Sequence, residues 1–252
     1  MREITYWISE EDVKQIYSSS YWNDVLEEKK KDWWIGDGNY KKCLQYLESS
    51  GLFYEFENAE KYIDSYHGEN LKIGDLATGI GWTSALLSKN KKISEIHSVD
   101  MSLHRIKELF PHSIQMLSGE KDKIYRYLGS FYDIKLDDNS LDIIFMSQAF
   151  HHADNPIKLL IECDRILKKN GRIILSGEHS IGILRIIRRF FSVLLREKRT
   201  LTNFYDLFTA DPILGDHYYR NSDYYFMFKS LGYSVTHKNL KNGNVVYIAD
   251  KN

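Results

Sequence analysis

The sequence predicts an α/β fold with a mostly parallel sheet and helices on both of its faces. Between residues 71 and 177, short apolar runs of strand length alternate with helical segments. This alternation is typical of parallel strands joined by right-handed crossovers. Only a short turn containing Gly243 separates the last two predicted strands, 232–240 and 244–249. The final strand is therefore expected to run antiparallel to its neighbour.

Seven strands and several helices follow from the same patterns. The predicted strands are 71–76, 95–100, 124–128, 141–147, 171–177, 232–240 and 244–249. The predicted helices of the main domain are 81–89, 102–118 with a break at Pro111, 156–168 and 221–231. Residues 1–65 are predicted to form a helical N-terminal cap, with helices near 9–30 and 38–50. Residues 66–252 form the main domain, with an inserted substrate cap at 180–220.

Length and composition restrict the kind of protein. The 252 residues are 43% apolar and 27% charged, and the formal net charge is −1. A near-neutral chain gives no argument for binding a nucleic acid polymer, which usually needs a strongly basic domain. The two separate cysteines, Cys43 and Cys163, make neither a disulfide framework nor a zinc site.

The first residues carry early acids and no apolar core segment, and no run reaches the ~18–20 apolar residues of a membrane span. We therefore expect a cytoplasmic protein without stable membrane insertion. Its richness in Lys, Ile, Asn and Tyr indicates an AT-rich bacterial genome.

The stretch 75–82, DLATGIGW, is the most informative part of the sequence. Gly79 and Gly81 lie where a predicted strand turns into a helix, and glycine lets the backbone turn sharply and approach a ligand. Asp100 ends the next predicted strand, 19 positions after Gly81. In doubly wound folds an acid at this position accepts hydrogen bonds from ribose hydroxyls, although it can also cap the following helix. Together the loop and the acid predict a Rossmann-like nucleoside site.

The nucleoside is better described as S-adenosylmethionine than as NAD. The dinucleotide pattern G-x-G-x-x-G lacks its third glycine here, because Ser84 holds that position. The carboxylate of Asp75, just before the loop, would repel a pyrophosphate but attract the ammonium of a methionine moiety.

Two stretches resemble the class I S-adenosylmethionine-dependent methyltransferases. Residues 75–81 are similar to the first motif of that superfamily, D/E-x-G-x-G-x-G, with Ala77 at the first glycine. Residues 129–142, followed by IIFMSQAFHHADNP and LLIECDRILKKNGRIIL, are similar to its later motifs. The resemblance covers residues 71–177, and more loosely 217–249, and is closest to the small-molecule branch of quinone, sterol and antibiotic-tailoring enzymes.

The resemblance implies roles for individual residues. It places Asp75, Ala77, Gly79 and Gly81 at the methionine end of the cofactor and Asp100 at its ribose. Met101 would pack on the adenine, Ser130 and Phe131 would lie at the adenine edge, and Ser147 and Gln148 would lie near the sulfonium.

Methyl transfer to a hydroxyl needs a base, and histidine is suited to that task. The candidates follow predicted strands: His151, His152 and His179 as base, with Glu178 and His217 facing the substrate. Each of these histidines could instead serve packing or capping. No His, Cys and carboxylate set has metal-ligand spacing, so no metal is expected.

The insertion 181–199 places five arginines on one helical face: Arg185, Arg188, Arg189, Arg196 and Arg199. Three interpretations remain open. The helix could be a lid with a solvated basic face, an arginine surface that holds an anionic substrate through Arg185 and Arg189, or a helix on a membrane surface. Aromatic residues of the N-terminal cap, Tyr21 and Trp34 among them, could close over the substrate or form ordinary core packing.

The leading functional expectation is O-methylation of a small, phosphorylated or otherwise anionic metabolite, such as a surface-glycan, nucleotide-activated or secondary-metabolite intermediate, with S-adenosylhomocysteine as product. N-methylation is the alternative within the class. An NAD-dependent oxidoreductase and a cofactor-binding protein without activity are the alternatives from other classes. The chain is expected to be a monomer or a homodimer.

Overall fold

The computed structural model describes residues 1–9, 11–12, 39–197, 207–208 and 217–252, without the side chains of 183–185 and 196–197. The strands are β1 Ile4–Tyr6, β2 Leu71–Leu76, β3 Ile93–Asp100, β4 Ile124–Leu128, β5 Leu141–Ser147, β6 Leu167–His179, β7 Tyr233–Asn239 and β8 Asn244–Lys251. The α-helices are α1 Tyr40–Ser49, α2 Leu52–Asp64, α3 Trp82–Ser88, α4 Phe110–Met116, α5 Pro156–Ile166, α6 Ile183–Ser192 and α7 Asn221–Ser230. Shorter helical turns are Arg105–Leu109, Lys121–Lys123, Phe150–His152 and Val193–Glu197.

The strands form one sheet in the order β1-β4-β3-β2-β5-β6-β8-β7. Each neighbouring pair from β1 to β6 is parallel, whereas β8 is antiparallel to both β6 and β7. This confirms the Rossmann-like, mostly parallel sheet with an antiparallel C-terminal hairpin.

The predicted number of seven strands is wrong, because the described residues form eight. The additional strand, β1, pairs with β4 through Ile4, Thr5 and Tyr6. Next to it, the Trp7 ring stacks on Tyr127 with the ring centroids 4.3 Å apart. A three-residue strand is too short to show an alternating pattern in the sequence.

Helices cover both faces of the sheet. The side chains of β5 point alternately to the two faces and contact both layers of helices. Ile143 and Phe145 point into a core shared with α1, α2, α3 and α4. Ile144 and Met146 point to the opposite side, into a core shared with α5 and α7. Successive side chains of a strand face opposite ways, so one apolar run serves both layers.

The helices α1 and α2 lie in the segment predicted as the N-terminal cap. The Asn39 side chain caps α1 by accepting the N–H of Lys42, and Gly51, at a φ of +83°, separates α1 from α2. The α2 helix packs on β6 and β8. The division of the chain into a cap at 1–65 and a domain at 66–252 stays a prediction, and most of the predicted helix 9–30 lies outside the described residues.

Two further helical regions follow the sequence pattern. The predicted break at Pro111 corresponds to the junction between the turn Arg105–Leu109 and α4, where proline fits the first helical turn because its missing N–H is not needed there. The basic insertion begins as α6. Within the described ranges, the structure contains no helix with the length and apolar character needed to cross a membrane.

Candidate active site

The loop between β2 and α3 turns sharply because three of its residues adopt left-handed backbone conformations. The φ angle is +53° at Ala77, +56° at Gly79 and +79° at Gly81. Alanine takes this conformation at a cost of roughly 1–2 kcal/mol, so the missing first glycine of the motif does not prevent the turn. The backbone N–H of Gly79 donates to Oδ2 of Asp100 over 2.7 Å, which joins the loop to the end of β3.

The two glycines of the loop have different surroundings. A Cβ added to Gly79 would meet no atom within 4 Å. A Cβ added to Gly81 would come within 2.3 Å of the Phe110 ring. Gly79 therefore borders open space, whereas Gly81 allows α3 to pack against α4.

Asp75 is buried, with 1% of its surface exposed, and it organises the loop from within. Its Oδ2 accepts hydrogen bonds from Oγ1 of Thr78 at 2.7 Å, Oγ1 of Thr83 at 2.7 Å and Oγ of Ser84 at 2.5 Å. Burial raises the pKa of the Asp75 carboxyl, while the three hydroxyl bonds act in the opposite direction. Asp75 does not line the cavity described next, so its contact with the cofactor stays a prediction.

A cavity of about 480 Å³ opens at the carboxyl ends of the parallel strands. Eight of the ten residues predicted for the cofactor lie on its wall: Ala77, Gly79, Asp100, Met101, Ser130, Phe131, Ser147 and Gln148. The other two do not line it, because Asp75 is hydrogen-bonded beneath the loop and Gly81 faces the Phe110 ring. Open α/β sheets bind their ligands at this end of the strands.

The Asp100 carboxylate is held in a fixed orientation at the cavity wall. Oδ2 accepts the N–H of Gly79, and Oδ1 accepts the N–H of Ser102 over 2.8 Å. A carboxylate oxygen can accept two hydrogen bonds, so each oxygen keeps capacity toward a ligand. The two backbone hydrogen bonds of Asp100 are thus compatible with the predicted contact between its carboxylate and the ribose.

On the adenine side of the predicted site, the wall is formed by residues after β3 and β4. The hydroxyl of Ser130 accepts the N–H of Tyr132 over 3.1 Å. The rings of Phe131 and Tyr132 meet edge to face, with centroids 4.7 Å apart. Met101 lies on the same cavity wall, so apolar side chains and one hydroxyl are available to a planar base.

At the end of β5, the wall carries two polar side chains. The hydroxyl oxygen of Ser147 is buried and has no hydrogen-bond partner among the residues that the structure describes. Gln148 has a φ of +47°, and its side-chain amide donates to Oε2 of Glu55 over 2.8 Å. Oε1 of Glu55 in turn accepts from Nδ2 of Asn242 at 2.7 Å and Nδ2 of Asn244 at 2.6 Å. A fully buried carboxylate of α2 therefore fixes a side chain of the cavity wall.

Glu178, predicted to face the substrate, is instead fully buried behind the cavity. One oxygen accepts the N–H groups of Ala149 and Phe150, and the other accepts from Tyr224 Oη and lies 2.9 Å from Nδ1 of His151. Burial alone would raise the pKa of Glu178, but the charge and hydrogen bond of His151 and the bonds from Tyr224 and Phe150 hold it below its ordinary value. The side chain is thus engaged by the polypeptide on both oxygens.

The predicted histidines form a cluster beside Glu178. The ring centroid of His151 lies 4.3 Å from that of His152 and 5.1 Å from that of His179. His217 joins them by donating its backbone N–H to the carbonyl of His151 over 2.8 Å. Of the four, His152 lines the cavity, whereas His151 is 3% exposed. The catalytic assignments stay predictions, and geometry favours His152.

Of the remaining predicted substrate residues, Arg189 alone has a described side chain, and it does not line the cavity. The guanidinium of Arg189 donates through Nε to the carbonyl of Leu207 over 2.8 Å, which joins α6 to a later part of the same insertion. The side chain of Arg185, and all of Tyr21 and Trp34, lie outside the described residues.

Several wall residues were not predicted from the sequence. Those from the N-terminal helices are Tyr46, Leu47 and Leu52, and those from the main domain include Arg105 at the start of a helical turn and Tyr132 and Asp154 in loops. Glu55 was also missed. An acid surrounded by apolar residues within an amphipathic helix could have signalled a buried polar contact, because carboxylates are rarely buried without partners. Its partners at residues 242 and 244 could not be read from the pattern.

The strand order, the glycine loop and the oriented acid after β3 together define a doubly wound α/β domain with a nucleoside-type crevice. A family described as "Methyltransferase domain" matches residues 74–175, from β2 into β6. The fold is similar to the crystal structure of a SAM-dependent methyltransferase from Aquifex aeolicus, with a TM-score of 0.53 and 18% identity over 84% of this chain and 96% of that chain. At this identity the structural likeness concerns the fold alone.

Two curated relatives match the same region. The sarcosine/dimethylglycine N-methyltransferase of Aphanothece halophytica is 25% identical over 105 residues, which are 42% of this chain and 37% of that protein. The ubiquinone/menaquinone biosynthesis C-methyltransferase UbiE of Campylobacter jejuni is 28% identical over 123 residues, 46% of this chain and 48% of that protein. The chain thus spans less than half the length of either relative. The match to a methyltransferase domain thus covers residues 74–175, which are less than half of the chain.

Proposed function

We propose that the chain transfers a methyl group from S-adenosylmethionine to a small-molecule acceptor, releasing S-adenosylhomocysteine. The observation that carries the proposal is the cavity at the strand ends, where open space beside Gly79 meets the oriented carboxylate of Asp100. The hydroxyl of Ser147, which has no hydrogen-bond partner within the described ranges, lies on the same wall and offers a further polar contact.

The residues present fit the proposed cofactor. Asp100 would accept the hydrogen bonds of the two ribose hydroxyls, and Met101 and Phe131 would enclose the adenine, with Ser130 at its edge. Ala77, Ser147 and Gln148 would surround the methionine end. The cavity volume of about 480 Å³ lies within the range of roughly 300–1,000 Å³ typical of small-molecule sites.

We further propose that the acceptor atom is a hydroxyl oxygen and that His152 takes its proton. When bound, the cofactor supplies an electrophilic methyl with a neutral leaving group, so the protein's tasks are to align the acceptor and to remove its proton. His152 lies on the cavity wall next to His151, whose ring Glu178 orients. An imidazole ordinarily titrates near pH ~6.5, which suits a base at neutral pH.

The charge of the acceptor is part of the proposal. Arg105 is a cation on the cavity wall and supports a phosphorylated or otherwise anionic metabolite. Asp154 on the same wall supports a cationic amine, which would make the reaction an N-methylation. Acceptor screens should therefore include hydroxylated phosphates and carboxylates on one side and small amines on the other, with release of S-adenosylhomocysteine as the measurement.

Calorimetric titration with S-adenosylmethionine, S-adenosylhomocysteine and NAD tests the cofactor. We expect saturable binding of the first two and none of NAD. Binding of NAD alone would favour the oxidoreductase alternative and contradict the proposal. Cofactor binding without product from any acceptor class would favour a binding protein without activity.

The variant Asp100→Ala tests the ribose contact. Loss of hydrogen bonds to a charged group costs about 1.5–3 kcal/mol, so we expect affinity for S-adenosylmethionine to fall about tenfold or more. The exposed acid Asp122 provides the matched control, and Asp122→Ala should bind as the wild type does. Equal affinities of the two variants would remove Asp100 from the site.

A further inference from the structure

The outer side of α6 and the turn after it is unusually apolar for an exposed surface. The described residues include ten exposed large hydrophobic side chains, and five of these fall within the nine positions 187–195. They are Ile187, Phe190, Phe191, Leu194 and Leu195, with exposed fractions of 46%, 41%, 54%, 47% and 68%. Single exposed apolar residues are ordinary, but a contiguous patch marks an interaction surface. We call these five residues the apolar stripe.

The stripe lies on the exposed side of this segment, and two residues on its other side are engaged. Val193 is fully buried, and Arg189 donates to the carbonyl of Leu207. At about 100° per residue, the three members within α6 (Ile187, Phe190 and Phe191) fall within an arc of roughly 100°, and the exposed Arg188 lies beside that arc. Leu194 and Leu195 continue the stripe in the π-helical turn that follows. An apolar arc bordered by arginine is the arrangement of helices that lie in the interface of a lipid bilayer.

Charge separates this segment from the rest of the chain. Residues 181–199 contain five arginines and one lysine against one glutamate, a net charge of +5. Because the whole chain has a net charge of −1, the remaining residues carry −6. A strongly basic segment on an acidic protein is attracted to an anionic surface, whereas two copies of the segment placed face to face would repel each other.

We propose that residues 187–195 bind reversibly to a membrane surface containing anionic lipids, with the apolar stripe in the interface and Arg188 at the headgroups. This inference is independent of the proposed reaction. It concerns attachment to the surface and is compatible with the lack of a membrane-spanning helix in the described ranges.

Vesicle co-sedimentation of the whole protein tests the proposal. The probes are vesicles of phosphatidylcholine alone and vesicles in which a third of the lipid is phosphatidylglycerol. We expect the wild type to bind the second kind and to be released from it as salt is added, because screening weakens the headgroup attraction. Equal binding to both kinds, or binding to neither, would overturn the proposal.

Three variants identify the surface. Phe191→Ser combined with Leu195→Ser should weaken binding to the anionic vesicles about tenfold or more, since both side chains leave the interface. Arg188→Glu should weaken it also and flatten its dependence on salt. Phe226 is an exposed aromatic elsewhere, 73% accessible on α7, so Phe226→Ser should bind as the wild type does.

Two additional measurements distinguish weaker lipid binding from loss of folding and from self-association. Thermal unfolding should be unchanged in all three variants, because each replaced side chain is exposed. Analytical ultracentrifugation tests self-association through the same stripe. A dimer that the Phe191→Ser and Leu195→Ser changes abolish, with no vesicle binding by the wild type, would replace the membrane proposal by contact between copies.

Discussion

Gly79 and Gly81 lie two residues apart in one loop, yet the structure predicts opposite consequences for replacing them. Gly81→Ala places a Cβ against the Phe110 ring at a φ of +79°, so backbone strain and overpacking add up. We expect it to lower the free energy of unfolding by about 2–4 kcal/mol. Gly79→Ala meets no neighbour and should cost only about 1 kcal/mol, while crowding the space proposed for the cofactor. Urea unfolding measures the loss of stability in both variants, and cofactor titration measures their affinity. Equal losses of stability and equal affinities in the two variants would contradict the prediction.

Glu178 makes stability depend on pH. Its pKa in the folded protein lies below the ordinary value of 4.5, so its contribution is complete at neutral pH and is lost as the pH falls through the folded-state value. Glu178→Gln removes the charge and misplaces one donor, and should lower the free energy of unfolding by about 1–3 kcal/mol at pH 7.

The difference between wild type and Glu178→Gln should shrink as the pH falls below the ordinary carboxyl pKa of 4.5 and through the lower folded-state pKa, where the wild-type carboxylate takes up its proton. Urea unfolding at a series of pH values measures it. The exposed Glu48 supplies the control, since Glu48→Gln should follow the wild type throughout. A difference that persists unchanged in acid would show that the charge of Glu178 contributes nothing.

At the residue scale, the sequence predicted which residues lie near the cavity better than it predicted which of them line its wall and which support that wall from behind. Gly79 and Asp100 were expected at the site and line the cavity, because both belong to a motif whose spacing dictates geometry. Asp75 and Glu178 were expected to face ligands, and neither lines the cavity, because other groups of the protein hold both carboxylates. Which way a carboxylate points depends on hydroxyls and rings contributed from other elements, and no local pattern carries that information.

Among the elements, α2 has a role that its position in the sequence does not reveal. Through Glu55 it joins Gln148 at the end of β5 to Asn242 and Asn244 in the turn between β7 and β8. Phe56, one residue on, packs its ring against Trp82 and Phe145 with centroids 6.0 and 5.7 Å away. The helix therefore fixes both the wall of the cavity and the core below it.

We expect Glu55→Gln to reduce turnover about tenfold or more, because an amide cannot accept from all three amide donors and Gln148 would shift from its place. Turnover is to be measured with saturating cofactor, far below the unfolding temperature, so that reduced stability alone would leave it unchanged. The neighbouring exposed acid gives the control, Glu57→Gln. Normal turnover in Glu55→Gln would show that the carboxylate serves packing only.

For the molecule as a whole, periodicity predicted the order and direction of the long elements. The boundaries of β2, β4 and β5 agree with prediction to the residue, because apolar runs bounded by turn residues define them. The β1 strand was missed, since its pairing with β4 joins residues more than a hundred positions apart. The stacking of Trp7 on Tyr127 also joins residues far apart in the sequence, so no local pattern predicts it.

The β1 strand has a consequence for the solubility of the protein. Without it, the outer backbone groups of β4 would be open, and its sequence IYRYL is rich in residues that favour strand pairing. Removal of residues 1–8 should therefore cause aggregation on mild heating, visible as light scattering before the main unfolding transition, whereas Thr5→Ala, which keeps the backbone bonds, should not. A truncated chain that stays clear and monomeric would mean that β4 needs no cover. The three residues of β1 thus cover the edge of β4 and prevent amyloid-like association between molecules.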